Sequence, residues 1–316
     1  MKGFLLKTSV FLLPIVLGVF IVEIYIRFSS SAFSLKAKYF NETATQTIII
    51  LGSSHAQSDV NPRLFSCPAA NLAYGSQDLK LDQLLFEKTV FLNKKPMVLL
   101  LEFSYHRLLR ENPDPYWRNG LYENFYGLDL TKGISLAKFI LVSSNLKFFN
   151  NFIVESISRK RSDSRFNQWG FNENDFQGVF KAFNYDTARI VKSSQNRLSI
   201  DEWDNIDQSV VERNISHLER ISALCAANHI HLVLFAPPVF STYRTFFKQQ
   251  NIQLRNVVIK KLQSKNRSVN WMNFENDPSF TTDLFKNDDH LNSKGAQLFT
   301  GMLNDSINSV YRTCPK

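Results

Sequence analysis

Ser54 and His290 are the two side chains in this sequence whose setting points to covalent chemistry. A serine hydroxyl is a poor nucleophile near neutral pH. It needs a base within hydrogen-bond reach, a group that orients the base, and donors aimed at the oxygen on which charge builds. Ser54 follows the apolar run Thr47-Ile-Ile-Ile-Leu51 on a turn opened by Gly52, in Gly52-Ser-Ser-His55. His290 stands in Asn287-Asp-Asp-His-Leu-Asn292, just ahead of a helix expected from about Ser293. A Gly-Ser-Ser turn is common, and a lone His before a helix is often a cap or surface group. Their order, and the elements they sit on, make the pair specific.

The remaining histidines and cysteines point elsewhere. His55 could line the pocket or help seat a substrate, but its side chain should diverge from that of its neighbour Ser54, a poor placement for a base. His217 falls on the polar side of its helix, His229 and His231 bracket a strand start, and His106 follows the third strand, so none is expected to be catalytic. Cys67, Cys225 and Cys314 lack the paired spacing of a zinc site, and no metal or organic cofactor is implied. Cys225 reads as core, while Cys67 and Cys314 are candidates for one bridge if the domain is extracytoplasmic.

The elements around Ser54 and His290 alternate. Continuous apolar runs at 47–51 and 97–103, with a short strand around 69–73, read as buried strands of a parallel sheet. Between them, 78–93 repeats apolar residues at helical spacing. From Tyr105 to about Asp204 the alternation gives way to aromatics and turn formers, expected to be a largely helical insertion whose aromatics pack it against the sheet. The rhythm resumes with an apolar stripe from Ile206 to Leu224, a strand at 230–236, a helix predicted over 243–264 and a last strand at 268–274. The fold expected is α/β with a mainly parallel sheet and right-handed crossovers.

Ahead of this body, the chain runs apolar from Thr8 to Ile26 with Glu23 as its only charge, close to the length that crosses a bilayer. Residues 1–30 are therefore expected to be a membrane anchor, 31–45 a linker, and 46–316 the catalytic domain. Lys2 and Lys7 favour a cytoplasmic amino terminus, which leaves the body outside. Ser30, Ser31 and Ala32 are small enough for signal-peptidase cleavage, but the long apolar run and Arg27 favour an uncleaved anchor. The net charge of +9 comes with no nucleic-acid motif, and its tightest cluster, Arg159 to Arg161 with Arg165, reads as a solvated face. Hydrophobic residues at 44% and charged ones at 21% exclude a disordered chain.

From about Thr47 to Tyr311, outside the insertion, the chain resembles the SGNH/GDSL hydrolase superfamily. The likeness is strongest to its membrane-anchored branch of DltD-like and alginate-acetylation-like proteins. The resemblance implies a three-layer, flavodoxin-like sandwich. Gly52-Ser53-Ser54 matches the first block with Ser53 in place of the usual Asp, which implies that Ser54 attacks. Asn71-Leu-Ala-Tyr-Gly-Ser76 looks like the second block, so the backbone amides of Ser54 and of Gly75 or Ser76 are implied oxyanion donors. The third block lacks its Asn, and Ser104 is the implied substitute. In the last block Asn287 stands where the family has Asp. Asp288, spaced Asp-x-His, is the implied orienter of His290, with Asp289 and Asp283 as alternatives.

The activity implied is O-acyl transfer through an acyl-enzyme on Ser54, onto a cell-envelope or exported polysaccharide. A multispanning membrane acyltransferase is the implied carrier that delivers the acyl group. An anchored esterase with the same residues, and a degenerate polysaccharide-binding or scaffold protein, are the alternatives.

Overall fold

The structure, a computed structural model, describes residues 2–29, 31–94, 96–131, 140–157, 165–198 and 207–311. Helices α1 (Lys2–Phe28) and α2 (Ala32–Glu42) precede β1 (Ile48–Leu51), α3 (Ser54–Asp59), β2 (Ala69–Asn71), α4 (Leu79–Phe91) and β3 (Val98–Glu102). The long excursion after β3 carries α5 (Asn119–Tyr126), α6 (Leu146–Ile157) and α7 (Thr187–Leu198). Then come α8 (Gln208–Ala227), β4 (His231–Ala236), α9 (Gln249–Lys265) and β5 (Val269–Asn273). A small hairpin of β6 (Phe285–Asn287) and β7 (His290–Leu291) leads into α10 (Ser293–Tyr311).

The five main strands are all parallel, in the order β2-β1-β3-β4-β5. Strand side chains alternate between faces, so an unbroken apolar strand must be covered twice. Ile49, Leu51, Leu99 and Leu101 pack with Leu81 and Leu85 of α4 and Leu218 and Ile221 of α8. Ile48, Ile50, Val98 and Leu100 pack with Ala56 of α3 and with Phe299 and Leu303 of α10. The result is a three-layer α/β sandwich. In this strand order the chain reverses direction across the sheet between β1 and β3, and a crevice opens at the carboxyl ends of those strands.

Side-chain caps set the helix starts. Asp78 accepts from the Leu81 amide at the head of α4, and Asn292 accepts from the amides of Lys294 and Gly295 at the head of α10. The predicted helix over 243–264 is split into a short turn at Ser241–Arg244 and α9, because Tyr243 and Phe247 fold back onto Tyr105.

The segment expected to be a linker is instead helix α2. Ser31 and Ser34 form a reciprocal capping box, and Phe33, Ala37 and Phe40 recur at helical spacing on one buried face. The polar look of 36–45 misleads because Lys36 is also buried: its ammonium donates to the Ala73 carbonyl at 2.8 Å. Burial pulls the Lys36 pKa down to about 7.

α1 is, among the described residues, the one helix long and apolar enough to cross a membrane, with a mean hydropathy of 2.5. Its last turns touch the body, where Glu23 accepts from the Leu141 amide at 3.0 Å and pairs with Arg27. Cys225 is free and buried, and Cys67 is disulfide-bonded. Cys314 and the basic cluster Arg159 to Arg161 lie outside the described residues.

Candidate active site

Two devices bring Ser54 to the crevice. Gly52 ends β1 at φ +142°, and a β-carbon there would stand 2.5 Å from the Glu102 Cβ, so only glycine lets β1 turn this close to β3. Glu102, fully buried at the end of β3, then accepts from the Ser53 amide at 2.9 Å and the Ser53 hydroxyl at 2.7 Å. Ser53 serves as the amino-terminal cap of α3, and Ser54 opens that helix. In a first turn the amides have no acceptor within the helix, which leaves the Ser54 N–H without a helical partner at the edge of the cavity that Ser54 lines.

His290 is held from the other side. The hairpin between β6 and β7 has a two-residue turn, Asp288-Asp289, and the Asn287 side-chain oxygen accepts from the amides of Asp289 at 3.3 Å and His290 at 2.8 Å. Asp59, buried in α3, accepts from the Leu291 amide at 3.0 Å and so ties the helix of Ser54 to the strand of His290. The two side chains, 236 residues apart, meet with His290 Nε2 at 2.8 Å from Ser54 Oγ.

The orienting carboxylate is Asp289, at 2.9 Å from His290 Nδ1. This corrects the expectation of Asp288. In the tight turn the two acids point apart: Asp288 accepts from the Ser194 hydroxyl in α7, and its backbone oxygen accepts from the Phe240 amide. Asp283 is also removed from the site, pairing with Lys294 at 3.0 Å. An ionised carboxylate only accepts, so His290 Nδ1 carries the proton and Nε2 presents its lone pair to the Ser54 hydroxyl. Burial pushes the His290 pKa below its ordinary value, against the pull of Asp289. Burial pushes the Asp289 carboxyl up, but the His290 and His55 rings overcome this and hold it well below the usual carboxylate range.

Of the expected oxyanion donors, Ser54 and Ser76 line one cavity of about 230 Å³. Ser76 sits in the left-handed region at φ 60°, which turns the chain sharply beside Ser54. Gly75 flanks Ser54, but its amide already donates to the Gln57 side chain at 2.7 Å. Ser104 is corrected: it lies behind the site, its amide on Glu102 at 2.9 Å and its hydroxyl 3.1 Å from His55 Nδ1. Its hydroxyl is engaged by the buried His55 ring, so it does not line the cavity with Ser54.

The start of the insertion builds the far wall of the cavity, with His106, Arg107, Arg110, Glu111 and Asn112. Arg118 donates to the Gly75 carbonyl and Asn112 to the Ser76 carbonyl at 2.9 Å, so the insertion also clamps the turn at Gly75 and Ser76 beside Ser54. Burial first, then the His55 charge, pulls the His106 pKa down to about 3, which keeps that ring neutral. His217 hydrogen-bonds Gln83 and ties α8 to α4, while His231 packs on Tyr311. Donor atoms of His55, Asp289 and His290, and of His55, Glu102 and His106, approach within 4.8 Å, a spacing a cation could bridge. Most of those atoms are already engaged with one another, with Ser54, Ser53 or Ser104, and Arg107 Nε stands 3.5 Å from Glu102.

Glu102 and Asp59 were not anticipated from the sequence. Glu102 had a visible signal, a lone acid closing the apolar run Val98-Leu-Leu-Leu-Glu102, since a buried charge must have a purpose for its partners. Asp59 had none, because its partner lies in a distant hairpin.

No family model and no curated protein matches the chain. Among solved structures it is similar to a Bacteroides fragilis protein provisionally described as an acylhydrolase, at 13% identity and a TM-score of 0.40, covering 86% of this chain and 94% of that one. It is also similar to an active-site mutant of a family two carbohydrate esterase from Clostridium thermocellum, at 10% identity and a TM-score of 0.35, covering 86% of this chain and 66% of that one. Both overlaps are loose, and the chemistry of the site rests on its own atoms.

Proposed function

We propose that the chain is a membrane-anchored serine acyl-transfer enzyme of the SGNH/GDSL type, acting on the extracytoplasmic side. The observation that carries this reading is the unbroken line from the Ser54 hydroxyl through the His290 ring to the Asp289 carboxylate, at 2.8 and 2.9 Å. In the first half-reaction Ser54 Oγ gives its proton to His290 Nε2 and bonds to the acyl carbon of a donor. The oxyanion is met by the amides of Ser54 and Ser76, and the leaving group takes the proton from His290 as it departs. In the second, an acceptor hydroxyl gives its proton to His290, attacks the acyl-enzyme, and Ser54 regains a proton as it leaves.

Transfer to a polysaccharide hydroxyl is the finer reading, and it rests on the cavity and the anchor. The cavity beside Ser54 is lined by polar groups, which suits a hydrated, polyhydroxylated acceptor. The disulfide at Cys67 belongs in an oxidising compartment, in keeping with a body outside the cytoplasm. A fluorophosphonate probe should label the purified chain but not Ser54→Ala, and absence of labelling on folded wild type removes the reading. Supplying an activated acetyl ester with an oligosaccharide then separates transfer from hydrolysis: acetylated sugar supports transfer, and acetate alone supports an esterase.

A further inference from the structure

His55 is fully buried directly behind the Ser54–His290–Asp289 line, and its contacts differ from those of a packing residue. Its Nε2 lies 3.6 Å from Asp289 Oδ2, while the other oxygen of that carboxylate serves His290 Nδ1. Its Nδ1 lies 3.1 Å from Ser104 Oγ and 3.9 Å from Glu102 Oε1. The His55 and His290 rings meet edge to face at 4.9 Å, and His106 closes the opposite side at 5.1 Å. At 3.6 Å this contact is an ion pair rather than a formed hydrogen bond, and it favours a proton on His55 Nε2, since an ionised carboxylate only accepts.

We infer that His55 is a positioning residue for the acyl-transfer site, its ring holding the Asp289 carboxylate square to His290 through the oxygen that His290 does not use. The inference rests on the function proposed above. A one-sided carboxylate in a two-residue turn can rotate, and a rotated Asp289 would leave Nδ1 of His290 to the uncharged Asn287 side-chain oxygen, 3.1 Å away, without the carboxylate that stabilises its charged form. The Ser104 hydroxyl and Glu102 in turn fix the far edge of the His55 ring. This gives Ser104 a place in the site as the support of His55.

The same position sets the working pH. The titratable and charged groups facing His55 are Asp59 on its own helix, which burial favours in its protonated form, Glu102 and Arg107 around the end of β3, and Asp289 and His290 on the hairpin, with Lys286 beyond Asp59. Burial lowers the His55 pKa, and Asp289 and Glu102, ahead of Asp59, offset that and leave it raised. A His55 cation lowers the pKa of His290. Removing the cation therefore raises the His290 pKa and moves the acid limb of activity to higher pH.

The test uses the full chain in detergent and the rate of fluorophosphonate labelling of Ser54 against pH, for wild type, His55→Ala and His55→Gln. The Gln amide can reach Asp289 but carries no charge. His55→Ala should lower the plateau rate about tenfold, in the range found for residues that orient a reacting group from behind. His55→Gln should recover most of that loss and, because it keeps Asp289 in place while removing the charge, should shift the acid midpoint upward. A structural role alone would lower yield or melting temperature and leave the midpoint in place. Wild-type rate and midpoint in both variants, or a lowered plateau in both with an unmoved midpoint, overturns the inference. Absence of Ser54 labelling in folded wild type overturns the functional reading itself and the inference with it.

Discussion

Asp288 and Asp289 carry the same side chain one position apart, yet one contacts the Ser194 hydroxyl and the other His290. Asp289→Asn should therefore cut the rate of Ser54 acylation by about 10³ to 10⁴, because an amide can hold the wrong imidazole tautomer and cannot stabilise the imidazolium. Asp288→Asn keeps an acceptor for Ser194 and should leave the rate within about threefold, as expected of a residue outside the reacting line. Steady-state kinetics on an activated acetyl ester separates the two, and a larger loss in Asp288→Asn would reverse the assignment. The pH profile is fixed in sign by His290. The base works when neutral and its pKa is lowered, so kcat/KM should be flat at neutral pH and fall on acidification through a midpoint below 6.5. Ser54 and His290 were legible in the sequence because each stands where an apolar run stops or a helix begins. The choice between two adjacent acids was not, since sequence gives their separation and only the turn gives their direction.

At the scale of elements, the site depends on three contacts: β1 against β3, α3 against β7, and the insertion against the turn at Gly75 and Ser76. Gly52→Ala would drive a methyl into Glu102 and strain a backbone at φ +142°, costing on the order of 2–3 kcal/mol and most of the activity. Gly301→Ala is the control. Gly301 lies inside α10 with nothing within 4 Å of an added β-carbon, so it should raise stability by up to about 1 kcal/mol. Thermal melts of the two variants should move in opposite directions. Asp59 tests the second contact. Burial raises its pKa well above the ordinary value, so the folded state favours the protonated acid. The stability this contributes is present below the unfolded pKa and is lost as pH rises through the folded pKa. Asp59→Asn keeps an oxygen for the Leu291 amide without the charge, and should gain stability over wild type as pH rises while matching it in acid. Denaturant melts at several pH values check this, and a constant difference would count against it. Strands, helices and their parallel pairing could be read in advance from apolar runs, periodicity and alternation. The β6–β7 hairpin could not, because its strands are too short to show a pattern. The insertion carries α5, α6 and α7, but the part that touches the site is irregular chain, ordered by Arg118 and Asn112 gripping the turn at Gly75 and Ser76.

For the whole molecule the question is where α1, the membrane-spanning candidate, stops and the body starts. α1 is exposed and apolar along most of its length, whereas α2 buries Phe33, Ala37 and Phe40 and stacks Phe33 edge-on against Tyr74, Tyr122 and Tyr126. Gly170, at φ +71°, packs so closely on α2 that a β-carbon would stand 2.6 Å from the Ala32 carbonyl oxygen. α2 is thus a structural bridge between the sheet edge, α5 and the insertion, and its Lys36 holds the loop that leads to Gly75. Cutting the chain before Ser31 should remove the membrane-spanning candidate and leave a body that stays folded without detergent. Cutting at Thr45 also removes α2, and exposing the faces that Phe33 and Phe40 cover should cost about 3–6 kcal/mol, at 1.5–3 kcal/mol for each buried aromatic side chain. The loss should reach Ser54 labelling as well, because the oxyanion turn loses its support from Lys36. Melting temperature and labelling rate of the two truncations decide the matter: equal values would make 31–45 the passive linker that its polar composition suggested, and a loss confined to the second makes it part of the machine.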